Sequence, residues 1–204
     1  LAVPFTTADR FPPGWIDGTV VATGFTAAGT YLWCYPEGRA PDSTGRDFDA
    51  VGLAVDEGRF RITGLAVPGR YRLWAFADLN RNHSFEPDKD LLVPADTTIE
   101  LSTGRPVASG VEVNVVNPRA PGEVKGTVLD SLGDTRGLLR LIVTSKSDTT
   151  RRLLYDLDPS GAYVFKWDPG TYTVRAIRDF DRNKIWKRDE EPGSEEITVT
   201  VKPG

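Results

Sequence analysis

The 204-residue sequence has no methionine, one cysteine and one histidine. No apolar run in it approaches the ~20 residues of a membrane-spanning helix. With Cys34 alone there is no internal disulfide, so the fold must rest on its cores, its turns and any bound metal. One histidine, one cysteine and no serine-centred elbow leave no nucleophile–base pair to assemble, which argues against an enzyme and against zinc. Cys34 alternates with Leu32 toward a face that reads as buried, where cysteine acts as a small apolar residue. Concentrated positive charge is also lacking. The 25 Lys and Arg are interleaved with 29 Asp and Glu for a net charge of −4, and no basic stripe marks a nucleic-acid partner. A chain that begins at Leu1 and has no methionine reads as a mature or excised piece of a longer product.

What the sequence does have is a duplication. Pro68-Gly69-Arg70-Tyr71 to Ala75, then Asp78-Leu79-Asn80-Arg81-Asn82, returns as Pro169-Gly170-Thr171-Tyr172 to Ala176, then Asp179-Phe180-Asp181-Arg182-Asn183. Gly18-Thr19-Val20 returns as Gly126-Thr127-Val128, and Gly58-Arg59-Phe60 as Gly161-Ala162-Tyr163. Each unit has roughly 85–105 residues, the size of one β-sandwich domain and not of a solenoid repeat. The expected organisation is an N-terminal segment over 1–11, a first domain over 12–117 and a second over 118–204. The boundary falls in Asn117-Pro118-Arg119-Ala120-Pro121-Gly122, where prolines and glycine interrupt strand pairing.

Period-two alternation and turn residues predict strands at 15–22, 30–36, 49–55, 58–63, 69–77, 97–101 and 110–116, then at 123–130, 138–144, 151–157, 161–167, 171–178 and 196–202. No helical period of useful length occurs. The chain reads as all-β, two tandem Greek-key Ig-like sandwiches. Tyr71, Leu73 and Ala75, and again Tyr172, Val174 and Ala176, share faces that should be core. A Pro-Gly pair with tyrosine two residues on predicts a corner pinned by the tyrosine hydroxyl on nearby backbone, with Trp167 as an apolar anchor in the second unit.

The Gly-Thr-Val opening strand, the Gly-x-aromatic before the turn, and Pro-Gly-x-Tyr-x-x-x-Ala followed by Asp-x-Asn/Asp-x-Asn resemble tandem transthyretin-like domains. These are also described as carboxypeptidase regulatory-like or Cna B-type, and occur in secreted bacterial surface proteins. The resemblance covers most of 12–204. It implies spacers, adhesin stalks or enzyme appendages, because such motifs specify a fold better than a function.

The acidic loops carry oxygens at alternate positions, which lets a tight turn aim three side chains at one hard cation such as Ca²⁺. In the first, Asp78, Asn80 and Asn82 take the leading ligand places, with the carbonyl of Ser84 and the carboxylates of Glu86, Asp88 or Asp90 to complete the set. In the second, Asp179, Asp181 and Asn183 lead, followed by the carbonyl of Ile185 and by Asp189 and Glu190. Glu190 falls at the twelfth place, where an EF-hand has its bidentate acid. Lys89 takes that place in the first loop, and His83 and Lys184 replace the usual sixth-place glycine. The competing reading is that Asp and Asn merely bond their own backbone in solvated turns.

Two further patterns point to partners. Tyr31, Trp33 and Tyr35 share one strand face, and Trp74 and Phe76 lie opposite Leu73 and Ala75; turned outward, these aromatics would contact another protein or stack on carbohydrate. Leu1, Val3 and Phe5 alternate as a strand does, and Phe5-Thr6-Thr7-Ala8 resembles the closing strand of a bacterial Ig-like domain. Residues 1–11 thus read as a remnant of such a domain or as a strand donated to a neighbouring copy. The functional expectation is a non-catalytic, calcium-stiffened extracellular or cell-surface module of a stalk, surface layer or filament. Its partners would be other copies of itself or neighbouring domains; the alternative is a carbohydrate-binding accessory of a larger enzyme.

Overall fold

A computed structural model describes residues 12–42, 47–131 and 136–204, so Leu1, Val3 and Phe5 lie outside the described residues. The chain divides into two compact units at Asn117/Pro118. No α-helix occurs among the described residues, so no helix is long and apolar enough to cross a membrane.

Unit 1 contains β1 (Gly14–Thr23), β2 (Tyr31–Pro36), β3 (Ala50–Leu53), β4 (Arg59–Leu65), β5 (Gly69–Ala77), β6 (Leu91–Leu101) and β7 (Val107–Val116). They form a three-stranded sheet in the order β4-β1-β7 and a four-stranded sheet in the order β3-β2-β5-β6. Alternate residues face inward, so Ile16, Val20, Ile62 and Val113 of the first sheet meet Leu32, Cys34, Leu73 and Ala75 of the second in one core. β1 and β7 run parallel. Their backbones come close at Gly18, where a Cβ would lie 1.9 Å from the Val111 carbonyl oxygen; only glycine fits there. β6 starts at Leu91, six residues before the sequence reading. Pro94 suppresses the strand pattern locally, yet a proline is tolerated on this edge strand.

Unit 2 contains β8 (Gly122–Thr127), β9 (Leu138–Ser145), β10 (Arg152–Asp156), β11 (Ala162–Trp167), β12 (Gly170–Asp179) and β13 (Ile197–Val201). Its four-stranded sheet, β10-β9-β12-β13, repeats the β3-β2-β5-β6 order of unit 1, but its second sheet holds only β11 and β8. The core packs Val124, Leu141, Val143 and Val174 against Trp167, whose indole N–H donates to the Tyr155 hydroxyl at 2.9 Å. Tyr155, Tyr163, Phe165 and Trp167 form a stacked series, with Tyr155 and Phe165 ring centroids 4.1 Å apart.

Both corners form as the sequence predicts. The Tyr71 hydroxyl donates to the Ala66 carbonyl and the Tyr172 hydroxyl to the Asp168 carbonyl, each at 2.8 Å. Each pins the chain just where β5 or β12 begins, and those strands lead directly into the acidic loops.

The aromatic face needs a correction. Alternation is right, since Trp33, Tyr35 and Phe76 point away from Leu32 and Cys34, but they are buried, with Trp33 at 7%, Tyr35 at 1% and Phe76 at 4% exposure. Phe48, from the segment before β3, stacks on Trp33, and Phe85, from the first acidic loop, meets Phe76 edge-on at 5.7 Å. Tyr31 and Trp74 complete this second cluster half-buried. The residues assigned to a partner contact are therefore covered by the chain's own loops, because five large rings on one strand pair are too apolar to leave in water.

Candidate metal centre

Each acidic loop starts where its central strand leaves the sheet, and the same side-chain oxygens fold both. In the first, Asp78 accepts the N–H groups of Asn82 (3.2 Å) and His83 (2.7 Å), and Asn82 Oδ1 accepts from Ser84 (2.9 Å). In the second, Asp179 Oδ2 accepts from Lys184 (3.0 Å), Asp181 Oδ1 from Asn183 (3.0 Å) and Asn183 Oδ1 from Ile185 (2.6 Å). These bonds hold Arg81, His83, Arg182 and Lys184 at φ values of 59°, 60°, 60° and 67°. The sixth place therefore takes the left-handed turn that favours glycine even though His83 and Lys184 occupy it, at about 1–2 kcal/mol per residue.

The residue that closes each loop lies twelve places after its first aspartate, one further than an EF-hand spacing suggests. Asp90 accepts from Leu79 N–H at 3.1 Å and from Glu86 N–H at 2.8 Å. Glu191 does the same for Phe180 at 2.9 Å and Lys187 at 3.3 Å. Both carboxylates are buried. Glu190 is exposed and bonded to Lys187 Nζ at 2.9 Å, and neither it nor the exposed Asp189 belongs to the carboxylate group that forms around Asp179. Glu191 was missed because the EF-hand spacing was imposed; the repeat itself carries the signal, since Asp90 and Glu191 correspond. Ile185 is 62% exposed and contributes at most its backbone.

The loops then diverge. In the second, Asp179, Asp181 and Glu191 bring carboxylate oxygens within 4.8 Å of one another, and no other such group of His, Cys, Asp or Glu occurs among the described residues. Asp179 is fully buried, and its Oδ1 has no hydrogen-bond partner. A buried, unpaired carboxylate oxygen is costly, and a hard cation would supply its missing partner. One positive group is already present: Arg140 Nη1 lies 3.2 Å from Asp179 Oδ2, and its Nε 3.0 Å from Asp156 Oδ1. Burial pushes the Asp179 carboxyl up, but the Lys184 N–H, the Arg140 guanidinium, Asp181 and the Arg182 N–H outweigh it and hold the carboxyl below its ordinary value. One guanidinium against three carboxylates leaves the cluster negative.

In the first loop, the amides of Asn80 and Asn82 both donate to Glu86 Oε2, at 2.7 and 2.6 Å, and Lys89 Nζ donates to Oε1 at 2.7 Å. Lys89, then Asn80 and Asn82, hold the Glu86 carboxyl low. Asp78, Glu86 and Asp90 do not converge as the second set does; Ser84 and Asp88 are exposed. Aromatic anchors missed in the sequence clamp both loops to the sheet: Phe85 on Phe76, and Trp186, which donates to the Glu191 carbonyl at 3.1 Å under the Arg175 guanidinium. If a cation is held by Asp179, Asp181 and Glu191, replacing Glu191 by Gln or Asp181 by Asn should weaken its binding at least tenfold, while Glu190→Gln leaves it unchanged; calorimetric titration of the three variants checks this.

The lone thiol and lone imidazole take no part in a catalytic pair. Cys34 is fully buried, and burial, then Asp49, push its thiol up to about 12. The exposed His83 ring nitrogen lies 3.3 Å from the Tyr31 hydroxyl at the rim of the first loop.

No family model matches the chain, and no curated protein matches it. Among the solved structures similar to it at low identity are the following three. The TIE protein of Bacillus anthracis is 16% identical, with 93% of this chain and 31% of that one covered and a TM-score of 0.34. A putative cell adhesion protein from Bacteroides ovatus is 11% identical over 96% of this chain and 90% of that one, with a TM-score of 0.44. A streptococcal ancillary pilin is 11% identical over 97% of this chain and 60% of that one, with a TM-score of 0.35. The chain thus spans under a third of the first of these and less than two thirds of the pilin.

Proposed function

We propose that this chain is a non-catalytic structural module of an extracellular or bacterial cell-surface assembly, built from two Greek-key sandwiches of the transthyretin-like kind and stiffened by calcium. The observation that carries this reading is the buried, unpartnered Asp179 Oδ1 beside Asp181 and Glu191, at the end of a core strand. A Ca²⁺ ion held there by Asp179, Asp181, Asn183 and Glu191 would tie β12 to the segment that leads on to β13. The chemistry supplied is charge neutralisation and cross-linking of the loop, not catalysis. The first loop, already closed by Lys89 and the asparagine amides, is the weaker site in this reading.

Extracellular calcium modules bind at ~10⁻⁴–10⁻³ M, so such a site is loaded outside the cell and empty within it. The carbohydrate-binding alternative depended on an exposed aromatic platform, and Trp33, Tyr35 and Phe76 are covered by the chain's own loops. The same burial removes these rings as a protein contact, so assembly would use another surface. At a hundredfold excess over Kd, a ligand specific to the native state adds about 2.7 kcal/mol. Thermal melts in EDTA and in 10 mM Ca²⁺ should differ by several degrees in the transition of unit 2. Superimposable melts, with no heat on calcium titration, would sink the calcium assignment.

A further inference from the structure

Where β5 runs into the first acidic loop, unit 1 has a half-open cleft of about 590 Å³ between that loop and the connection from β1 to β2. The volume is that of sites that hold a small organic group. Backbone bonds fix both walls. Gly29 N–H donates to the Ala54 carbonyl and Ala54 N–H to the Thr30 carbonyl, each at 2.8 Å, which ties the connection to the end of β3. Gly29 takes a φ of 92°, and a Cβ there would meet nothing within 4 Å, so this wall is set by a turn and stays uncrowded. The Asp78 carboxylate fixes the opposite wall through the Asn82 and His83 N–H groups.

What these walls present is basic and apolar. Asp78 is the only carboxylate among the described lining residues, and it is turned into its own loop: both oxygens accept N–H groups, and the side chain is 5% exposed. Arg81 is exposed and makes no ion pair among the described residues, and the His83 side chain is 78% exposed. Phe25, Leu53 and Leu79 supply the apolar lining. Thr30 lines the cleft at 1% exposure, and its hydroxyl has no hydrogen-bond partner. Arg81 and His83 keep left-handed φ values of 59° and 60° that glycine would take without strain. Their counterparts Arg182 and Lys184 do so too, but neither lines the cleft of about 230 Å³ in unit 2.

We infer that the unit 1 cleft binds a carboxylate carried on an apolar body the size of one or two amino-acid residues. The guanidinium of Arg81 matches a carboxylate as a planar fork of two parallel N–H···O bonds, with His83 beside it. The body of the ligand lies against Phe25, Leu53 and Leu79, where its apolar surface leaves water. One staggered rotamer step of Thr30 gives its hydroxyl the acceptor it lacks. A hydroxyl-rich sugar suits the cleft less well, because Asp78, the side-chain acceptor it would need, is committed to the loop. Two sources offer the required chemistry, a free small acid and the C-terminal residue of a polypeptide. Neither requires a cation in the acidic loop.

The test is calorimetric titration of the full chain, in EDTA, with N-acetylphenylalanine, its amide, and the tripeptide acetyl-Ala-Ala-Phe. The acid should bind, and the amide should bind roughly tenfold more weakly or worse, since it loses the charge-assisted pair. Arg81→Gly should lose binding by a similar factor with a melt no lower than the parent's, because glycine accepts the left-handed turn. Arg182→Gly, at the same place in unit 2, should bind as the parent does. A tripeptide that binds more tightly than the amino acid assigns the cleft to a polypeptide end, and equal affinities assign it to a free acid. No heat with either acid at millimolar concentration, equal binding of acid and amide, or parent-like binding by Arg81→Gly would overturn the inference.

Discussion

Trp33→Ala is expected to cost about 3–5 kcal/mol and to lower the melting transition of unit 1 by roughly 10 °C or more, leaving unit 2 unchanged. Trp33 is 7% exposed, lies 5.0 Å from Phe76 and 6.2 Å from Phe48 between ring centroids, and is the cross-strand partner of Trp74. Removing the indole opens a cavity under Phe48 and loosens the support on which Phe85 seats the first acidic loop. A partner-contact residue would behave differently, changing association while leaving the melt alone. Differential scanning calorimetry of the variant, alongside sedimentation, separates the two; an unchanged melt with lost self-association would return this face to the role the sequence reading assigned it.

That misassignment shows where legibility stops. Period-two alternation separates Leu32 and Cys34 from Trp33 and Tyr35 correctly, because side chains must alternate across a pleated strand. Alternation does not say what covers the second face. Phe48 and Phe85 lie in irregular segments with no period, and only the folded chain brings them onto the sheet. The corners at Tyr71 and Tyr172 were legible because Pro-Gly-x-Tyr is a local device whose bond spans only a few residues. The local turns at the start of each acidic loop, closed by Asp78 and Asp179 on nearby N–H groups, were legible for the same reason. Of the closing residues, Asp90 stood among three candidates and Glu191 was missed, since both act across the whole loop at a spacing belonging to a strand-borne turn and not to a helix pair. Arg140 was wholly invisible: it lies on β9, brought opposite Ile177 by strand pairing, two residues from Asp179.

Replacing Arg140 by Met should therefore have the largest effect in unit 2, about 3–5 kcal/mol, because it leaves the Asp179 carboxylate buried without its cation. The Arg140 and Asp179 side chains are 3% and 0% exposed, so water cannot make good the loss. Asp179→Ala should be nearly as costly by the converse argument, stranding the guanidinium; the first aspartate of this loop is thus part of the core and not a detachable ligand. The double variant Arg140→Met with Asp179→Ala should be less destabilised than the two single losses summed, as expected for groups in contact. Calcium adds a sharper discriminant. If the ion joins Asp179, Asp181 and Glu191, it supplies positive charge to the same carboxylate, and millimolar Ca²⁺ should raise the Arg140→Met melt by more than it raises that of the parent. Denaturant unfolding of the four proteins, with and without Ca²⁺, measures both quantities. A variant that unfolds like the parent would show that Arg140 does not hold Asp179, and a calcium increment no larger than the parent's would separate the ion from this cluster.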